Sequence, residues 1–261
     1  MTGLLAGLAD AGQDITGADL VIGTSAGATV AAQVGSGLSL DELFARQVDP
    51  ALQSRELMAE IDWEGFAAAL EPYMAGASAP DEMLRIFGRF ALDAQTVPEP
   101  ERIAVIESRL PSHEWPLTPT KLIAVDCTSG ELVAFEASSG VRLVDAVTAS
   151  CAVPGIWPPV TIAGRRYMDG GVRSSDNADL AASAERIFVI SPLGMDSPLP
   201  TPLPLRQVLT ALKDGGAAVT LISPDEASTA AIGTNALDPA TRVPAATAGR
   251  AQGRAGLPPA F

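Results

Sequence analysis

Apolar residues first recur at helical spacing and then form a short unbroken run. Leucines within residues 4–8 lie on one helical face, and we expect this helix to end near Gly12. Residues 18–22 form an apolar run that is typical of a buried strand, and residues 24–34 return to a helical pattern. The pattern therefore predicts a helix, a strand and a second helix at the start of the chain.

The next stretch, residues 39–110, carries only helical patterns. Ser39 followed by an acidic pair marks one helix start, and Pro80 followed by an acidic pair marks another. We find no internal repeat and no interdomain linker. We therefore expect a single domain over residues 1–261, with residues 39–110 as a helical insertion within it.

Strand patterns return after residue 110. Two pairs of short strands, one around the turn at residues 128–131 and one around Gly164, predict two β-hairpins. A proline-rich segment at residues 192–205 predicts a loop. The remaining patterns predict helices at residues 142–151, 177–184, 206–213 and 239–252 and strands at residues 186–192 and 217–224. Strands that alternate with helices indicate a three-layer α/β/α protein with a mostly parallel central sheet.

Charge narrows the classes of partner. The formal net charge is −14 at pH 7, and the isoelectric point is about 4.4. An acidic surface repels phosphates, so we expect no nucleic-acid partner. The same charge disfavours a purely electrostatic attachment to anionic membranes.

The two cysteines, Cys127 and Cys151, exclude a framework of several disulfides. We expect two buried thiols, as is common in a reducing compartment. The first residues lack the basic region of a signal peptide. Two uncharged windows, residues 20–40 and 146–164, are interrupted by glycines or prolines and do not predict membrane spans. We therefore expect a cytoplasmic protein.

A candidate nucleophile stands between the first predicted strand and the second helix. Gly23, Ser25 and Gly27 form a Gly-x-Ser-x-Gly pattern there, in which a tight strained turn presents the serine hydroxyl above the sheet. The glycines let neighbouring elements come close, and the N–H of Ala26 is an expected donor to a developing oxyanion. A structural glycine turn without chemistry is the alternative.

A nucleophilic serine needs a general base. The single histidine, His113, lies among prolines before a predicted strand, so we expect a surface or packing residue there. The base must then be a carboxylate or a lysine. The best candidate is Asp169, which ends a predicted strand and precedes Gly170 and Gly171, residues that permit unusual backbone conformations and a close approach. Asp-Gly is also a common turn dipeptide, so a structural turn is the alternative.

Together these motifs resemble the patatin-like phospholipases, more closely their bacterial members. The resemblance rests on Gly-Thr-Ser-Ala-Gly-Ala at residues 23–28, on residues 149–160 and 167–172, and on Asn-Ala-Asp-Leu-Ala at residues 177–181. The combination is specific to the family, whereas the motif around Ser25 or the motif around Asp169 alone would not be. The resemblance covers most of the chain and implies the patatin-like α/β/α fold.

The resemblance also implies a chemistry. Members of this family cleave acyl esters of lipids with a Ser–Asp dyad and no histidine. Ser25 would be the nucleophile, and Asp169 would take its proton and later activate water. No cofactor, no metal and no calcium are implied, and two cysteines with one histidine offer no zinc spacing. The expected partner is a lipid or ester substrate. Transient contact with a membrane surface stays open, and protein partners are unknown.

One family feature has no counterpart here. Family members open with a strand and a glycine-rich loop whose N–H groups form the oxyanion hole, whereas this chain begins within the following helix. The glycines at positions 3, 7 and 12 do not reproduce that loop. Two function classes therefore stay open: an active serine acyl hydrolase, or a catalytically impaired patatin-like domain that binds lipid or another protein.

Two further groups of residues have a structural and a functional interpretation. Asp126 ends a predicted strand and either approaches the candidate site or caps a turn; we favour the cap. Val153, Ile156 and Trp157 either line an acyl pocket or belong to an ordinary core and rigid loop.

Overall fold

The computed structural model describes residues 1–58, 63–74, 79–195 and 201–261. In these ranges the α-helices are α1 (Thr2–Asp10), α2 (Ala26–Val34), α3 (Leu40–Val48), α4 (Trp63–Met74), α5 (Pro80–Asp93), α6 (Glu99–Arg109), α7 (Leu143–Ser150), α8 (Leu205–Asp214), α9 (Glu226–Ile232) and α10 (Arg242–Arg254). The strands are β1 (Val21–Thr24), β2 (Thr120–Asp126), β3 (Leu132–Phe135), β4 (Val160–Ile162), β5 (Arg165–Asp169), β6 (Arg186–Ile190) and β7 (Ala218–Ile222).

The described strands form a five-stranded sheet and a separate parallel pair, β6–β7. In the larger sheet β1 is parallel to β2, β2 is antiparallel to β5, and β5 is antiparallel to β4. Strands β1, β2 and β4 consequently run in the same direction. The two predicted hairpins are present as β2–β3 and β4–β5.

Strand β2 is buried on both faces. Leu122 and Ala124 belong to a core that includes residues of α2, α6 and α7. On the opposite face Val125 of β2 packs with Met168 of the neighbouring strand β5 against Phe87 of α5. Helices therefore cover both faces of a central sheet, and the predicted three-layer α/β/α fold is confirmed.

The helical stretch at residues 39–110 holds α3 to α6 and no strand among its described residues; residues 59–62 and 75–78 lie outside the description. Helix α6 packs on α7 and contributes Ile106 to the main core. Helix α5 covers the other face of the sheet. These two helices are thus part of the layers themselves.

Some element boundaries differ from the sequence-based expectations. Strand β1 starts at Val21, where pairing begins with a hydrogen bond from its N–H to Pro119, rather than at residue 18. The helix expected at residues 177–184 is a short 3-10 turn, Ala178–Ala181. Helix α9 was not predicted. The expected loop at residues 192–205 lies partly outside the described residues.

A wide opening separates β1 from β6. The structure pairs β1 with β2 and β6 with β7, and no β1–β6 pair occurs among the described strands. A cavity of about 2230 Å³ lies there and is lined by residues of both strands. No helix in the described ranges is both long and apolar enough to cross a bilayer.

Helix α1 closes one side of this cavity and packs closely on α10. A Cβ added at Gly3 or Gly7 would meet the α10 backbone, and one added at Gly253 would meet the α1 backbone. Arg250 and Arg254 of α10 both bond Asp10 at the end of α1, with N···O distances of 2.8 Å. The two helices run parallel, since residue numbers rise together along the contact.

Candidate active site

Ser25 stands on a strained turn between β1 and α2. Its φ of 54° and ψ of −123° lie in a region that non-glycine residues rarely adopt. This is the geometry that the Gly-x-Ser-x-Gly pattern predicts, and it explains why α2 starts at Ala26 and not at residue 24. Ala26 opens the helix, and its N–H makes no hydrogen bond to another described group.

The two glycines of this turn are not equivalent. A Cβ at Gly23 would lie 2.6 Å from the Cα of Ala28, so glycine is required for the close approach of β1 and α2. At Gly27 an added Cβ would meet nothing within 4 Å. The packing reason expected for Gly27 is therefore absent, because its Cα faces open space.

Strand register brings Asp169 to Ser25. Thr24 pairs opposite Ile123 on β2, and Asp169 pairs opposite Ala124, the next residue. Because β3 pairs along residues 122–125, β1 and β5 lie end to end on the other edge of β2. The nucleophile candidate and the base candidate, 144 positions apart in the sequence, thus meet where the two strands end.

The carboxylate of Asp169 is enclosed, with 3% of the residue exposed. Burial raises its pKa to about 7, opposed by the Ser25 hydroxyl and by the N–H of Gly171, which donates to Oδ1 at 2.7 Å. The second oxygen, Oδ2, has no aligned hydrogen-bond partner among the described residues. The Ser25 contact is therefore loose, as is common before a substrate binds.

Gly170 and Gly171 allow a close approach, which is one of the two reasons expected for glycine at these positions. Neither has a positive φ, so unusual backbone conformation is not the reason for glycine at these positions. A Cβ at Gly170 would lie 2.5 Å from the carbonyl oxygen of Ile123, and one at Gly171 would lie 3.0 Å from the Asp169 carboxylate. The missing side chains leave room for β2 and for the carboxylate.

Asn177 connects the two halves of the site. Its side chain is fully buried, and Nδ2 lies 3.1 Å from Oγ1 of Thr24, 3.1 Å from the Gly170 carbonyl and 2.9 Å from the Ser174 carbonyl. Thr24 precedes the nucleophile candidate, and Gly170 follows the base candidate. Asn177 is therefore placed to fix the distance between them.

A second support lies under the Ser25 backbone. The N–H of Ser25 donates to Oγ of Ser150 at 3.1 Å, and this hydroxyl donates to the Ile123 carbonyl at 2.6 Å. The thiol of Cys151 donates to the Ser25 carbonyl at 3.1 Å. Burial raises the pKa of Cys151 to about 11, so this thiol stays protonated at neutral pH. Both cysteines are free and buried, as expected.

His113 and Asp126, for which we expected structural roles, lie outside the candidate site. His113 is half exposed beside Glu107 and does not line the cavity. Asp126 caps the turn after β2, where its Oδ1 accepts from the N–H groups of Thr128 and Ser129. Asp126 also pairs with Arg165 at 2.9 Å, which gives this exposed arginine a partner.

Ser25 and Asp169 open into the cavity between β1 and β6, which is larger than most ligand pockets. Val153, Ile156 and Trp157 line its wall beside them, as the acyl-pocket interpretation requires.

Sequence reasoning did not assign roles to Asn177 and Ser150. Both lie inside motifs that carried the resemblance, but a polar residue in a loop has no fixed direction in the sequence. One signal was available for Asn177: asparagine tolerates the left-handed region, and its φ is 47°. The catalytic roles of Ser25 and Asp169 remain predictions.

Comparison with known proteins agrees with the geometry. No individually curated protein matches the chain at a significant level. A family model described as patatin-like phospholipase matches residues 1–182, which include Ser25, Asp169 and Asn177. Because the match covers well over half of the 261 residues, the chain belongs to the patatin-like phospholipase family, whose members act on lipids.

Proposed function

We propose that the chain is a serine acyl hydrolase that cleaves acyl esters of lipids, with Ser25 as nucleophile and Asp169 as general base. The observation that carries the proposal is the strained Ser25 turn beside a buried carboxylate whose Oδ2 has no aligned partner. Family membership supports the lipid class of substrate.

In the first half of the reaction Asp169 accepts the proton of the Ser25 hydroxyl while Oγ attacks the ester carbonyl carbon. The N–H of Ala26 donates to the oxyanion that forms. The protonated Asp169 then gives its proton to the departing alcohol oxygen, which leaves an acyl group on Ser25.

In the second half Asp169 accepts a proton from water, and the hydroxide oxygen attacks the acyl carbon. When this intermediate collapses, Asp169 returns its proton to Oγ of Ser25 and the fatty acid leaves. A base with a pKa of about 7 suits both halves, because about half of it is ionised at pH 7 and it is far more basic than an exposed carboxylate.

The described residues supply one identified oxyanion donor, Ala26. Loss of a single donor from an oxyanion hole costs a factor of about 10² to 10³ in turnover. We therefore expect slow but measurable hydrolysis of simple esters, which the position of Ser25 beside the buried Asp169 carboxylate supports.

The test combines a covalent probe with turnover. We expect a fluorophosphonate to label the parent protein and the chain to hydrolyse 4-nitrophenyl butyrate. Ser25→Ala should lose both the label and the hydrolysis, and Asp169→Asn should lose hydrolysis. Ser138→Ala is the matched control, since Ser138 is exposed and does not line the cavity.

His113→Ala should keep hydrolysis within a few-fold of the parent, because His113 does not line the cavity. A loss of about 10³ in this variant would indicate a histidine base and contradict the dyad. Absence of both label and turnover in the parent would favour an impaired domain that binds lipid or protein.

We also propose that the protein works in the cytoplasm. The support is that both thiols are free and buried, which is the usual state in a reducing compartment. Fluorescence microscopy of a tagged chain in the native cell would test this placement.

A further inference from the structure

Three arginines gather around residues 54–56 at one wall of the large cavity. Nη1 of Arg102 pairs with Oε1 of Glu56 at 3.0 Å, and Arg109 pairs with Oε2 of the same carboxylate. Nη1 of Arg242 donates to the Ser54 carbonyl at 3.1 Å. All three guanidinium groups belong to residues that line the cavity. The Glu56 carboxylate therefore pairs with two of the three cations, and the third bonds a backbone carbonyl.

The cluster is buried and has donors to spare. Arg102 is 4% exposed, and burial lowers the pKa of Arg102, Arg109 and Arg242. The Nε atoms of Arg102 and Arg109 have no acceptor among the described residues. A buried charge without full pairing is costly, which indicates that a further anion belongs here.

The cluster lies close to the nucleophile candidate. The Arg102 guanidinium stacks on the Trp157 ring at 3.7 Å from its centre, in the same loop as Cys151, whose thiol bonds the Ser25 carbonyl. Gln33, at the far end of α2 from Ser25, bonds the Arg109 carbonyl at 3.0 Å. At about 1.5 Å per residue, α2 spans about 12 Å between these points. One extended substrate can therefore reach both sites.

The local charge is opposite to that of the whole chain, which is −14. None of the other carboxylates that line the cavity forms an ion pair with these arginines; they are Asp14, Asp19, Asp169, Asp176, Glu185 and Asp238. A cationic wall inside an acidic protein draws anions to this cavity and away from the rest of the surface.

We propose that Arg102, Arg109 and Arg242 form a subsite for an oxyanion, a phosphate or a carboxylate, that the ester substrate carries. The proposal rests on the acyl-hydrolase function proposed above and names the chemistry of its substrate. In the free protein Glu56 occupies part of the subsite, and the substrate anion binds the remaining guanidinium nitrogens. Arginine suits this task because its planar fork matches the oxygens of both groups.

The first experiment compares substrates that differ only in the anion. Mono-4-nitrophenyl suberate and 4-nitrophenyl octanoate have the same acyl length, and the first adds a terminal carboxylate. Dioctanoyl phosphatidic acid and dioctanoylglycerol, presented in the same neutral detergent micelles, differ by a phosphate on the alcohol side. We expect the parent to prefer the anionic member of at least one pair in kcat/KM. The pair that shows the preference identifies where the anion sits.

The second experiment changes the cluster. Arg109→Gln should lower the anionic-to-neutral kcat/KM ratio about ten-fold or more, the size expected for one charged hydrogen bond, and Arg109→Lys should restore part of it. Glu56→Gln should raise the ratio, because it removes the competing carboxylate. Arg142→Gln, at an exposed ion pair with Asp145, is the control and should leave the ratio unchanged.

Two results would overturn the subsite and leave the arginines only a structural role. One is an equal loss of kcat/KM for the anionic and the neutral member of each pair in Arg109→Gln. The other is a lower anionic-to-neutral kcat/KM ratio in Glu56→Gln. Calorimetry separates this from failure of the proposed function. Ser25→Ala should bind octyl phosphate more tightly than octyl glucoside, and Arg109→Gln in that background should abolish the difference. Such binding without ester hydrolysis by the parent would retain the subsite and reject the hydrolase; equal binding of both probes would reject the subsite.

Discussion

Asp169 is the residue whose environment departs most from that of an exposed carboxylate. Its pKa is raised to about 7 by burial, and a general base must be ionised to accept a proton. We predict that kcat/KM for a neutral 4-nitrophenyl ester rises with pH and levels off above an apparent pKa near 7. Rates measured from about pH 5 to about pH 9 test this, and a flat profile would contradict Asp169 as the base.

The same burial makes Asp169 costly for stability. Its folded pKa of about 7 exceeds the unfolded value of 3.8, so its favourable contribution is complete below about pH 4 and is lost as pH rises through 7. Asp169→Asn should therefore unfold at a higher temperature than the parent at pH 8, by on the order of 5 °C, with the gain vanishing near pH 4. Thermal melts at both pH values check this; the exposed Asp19→Asn should show no such gain.

Asn177 gives a prediction about positioning. Asn177→Gly tolerates the φ of 47° but removes the amide that joins Thr24 to Gly170. We expect kcat to fall about 10²-fold with KM within a few-fold, because the residue sets geometry and does not contact substrate. Asn235→Ala, in the loop after α9, is the matched control. An equal change in KM and kcat would indicate general loosening of the fold instead.

At the scale of elements, periodicity predicted most helices and both hairpins because their apolar faces are buried against one core. It failed for α9, which has seven residues and only Ser228 buried, so its sequence carries no apolar stripe. It also misplaced the start of β1, which is set by pairing with β2 and not by hydrophobicity. The candidate site could be predicted from the sequence because the strained backbone at Ser25 and the close approach at Gly23 each require particular residues.

The arginine cluster could not be predicted from the sequence, since α6, α10 and residues 54–56 meet only in the folded chain.

The contact between α1 and α10 depends on glycine. A Cβ at Gly253 would meet the carbonyl of Leu4 and lie 2.7 Å from the N–H of Leu8. Gly253→Ala should lower the unfolding free energy by about 1–3 kcal/mol, as overpacking does. Gly17→Ala, where an added Cβ meets nothing within 4 Å, is the control in urea or thermal unfolding. Equal stability of the two variants would show that the helices separate without cost.

At the scale of the whole molecule, the opening between β1 and β6 leaves two strand edges that no described strand covers. Unpaired edges invite pairing with another chain. We predict that the 261-residue chain self-associates in a concentration-dependent way, which size-exclusion chromatography with light scattering would measure. A monomer at every concentration would show that these edges are protected.

The parallel packing of α1 on α10 also has a consequence for biosynthesis. Arg250 and Asp10 lie 240 positions apart, so the helix that packs on α1 emerges from the ribosome long after α1 itself. Contacts of such long range form slowly, and apolar surface stays exposed until they form. Leu4, Leu5 and Leu8 are buried in the folded protein but have no α10 to pack against until residues 242–254 have been synthesised. The cavity wall that α1 provides is thus completed only after α10 has been synthesised, and a nascent chain can carry Ser25 and Asp169 without a closed site around them.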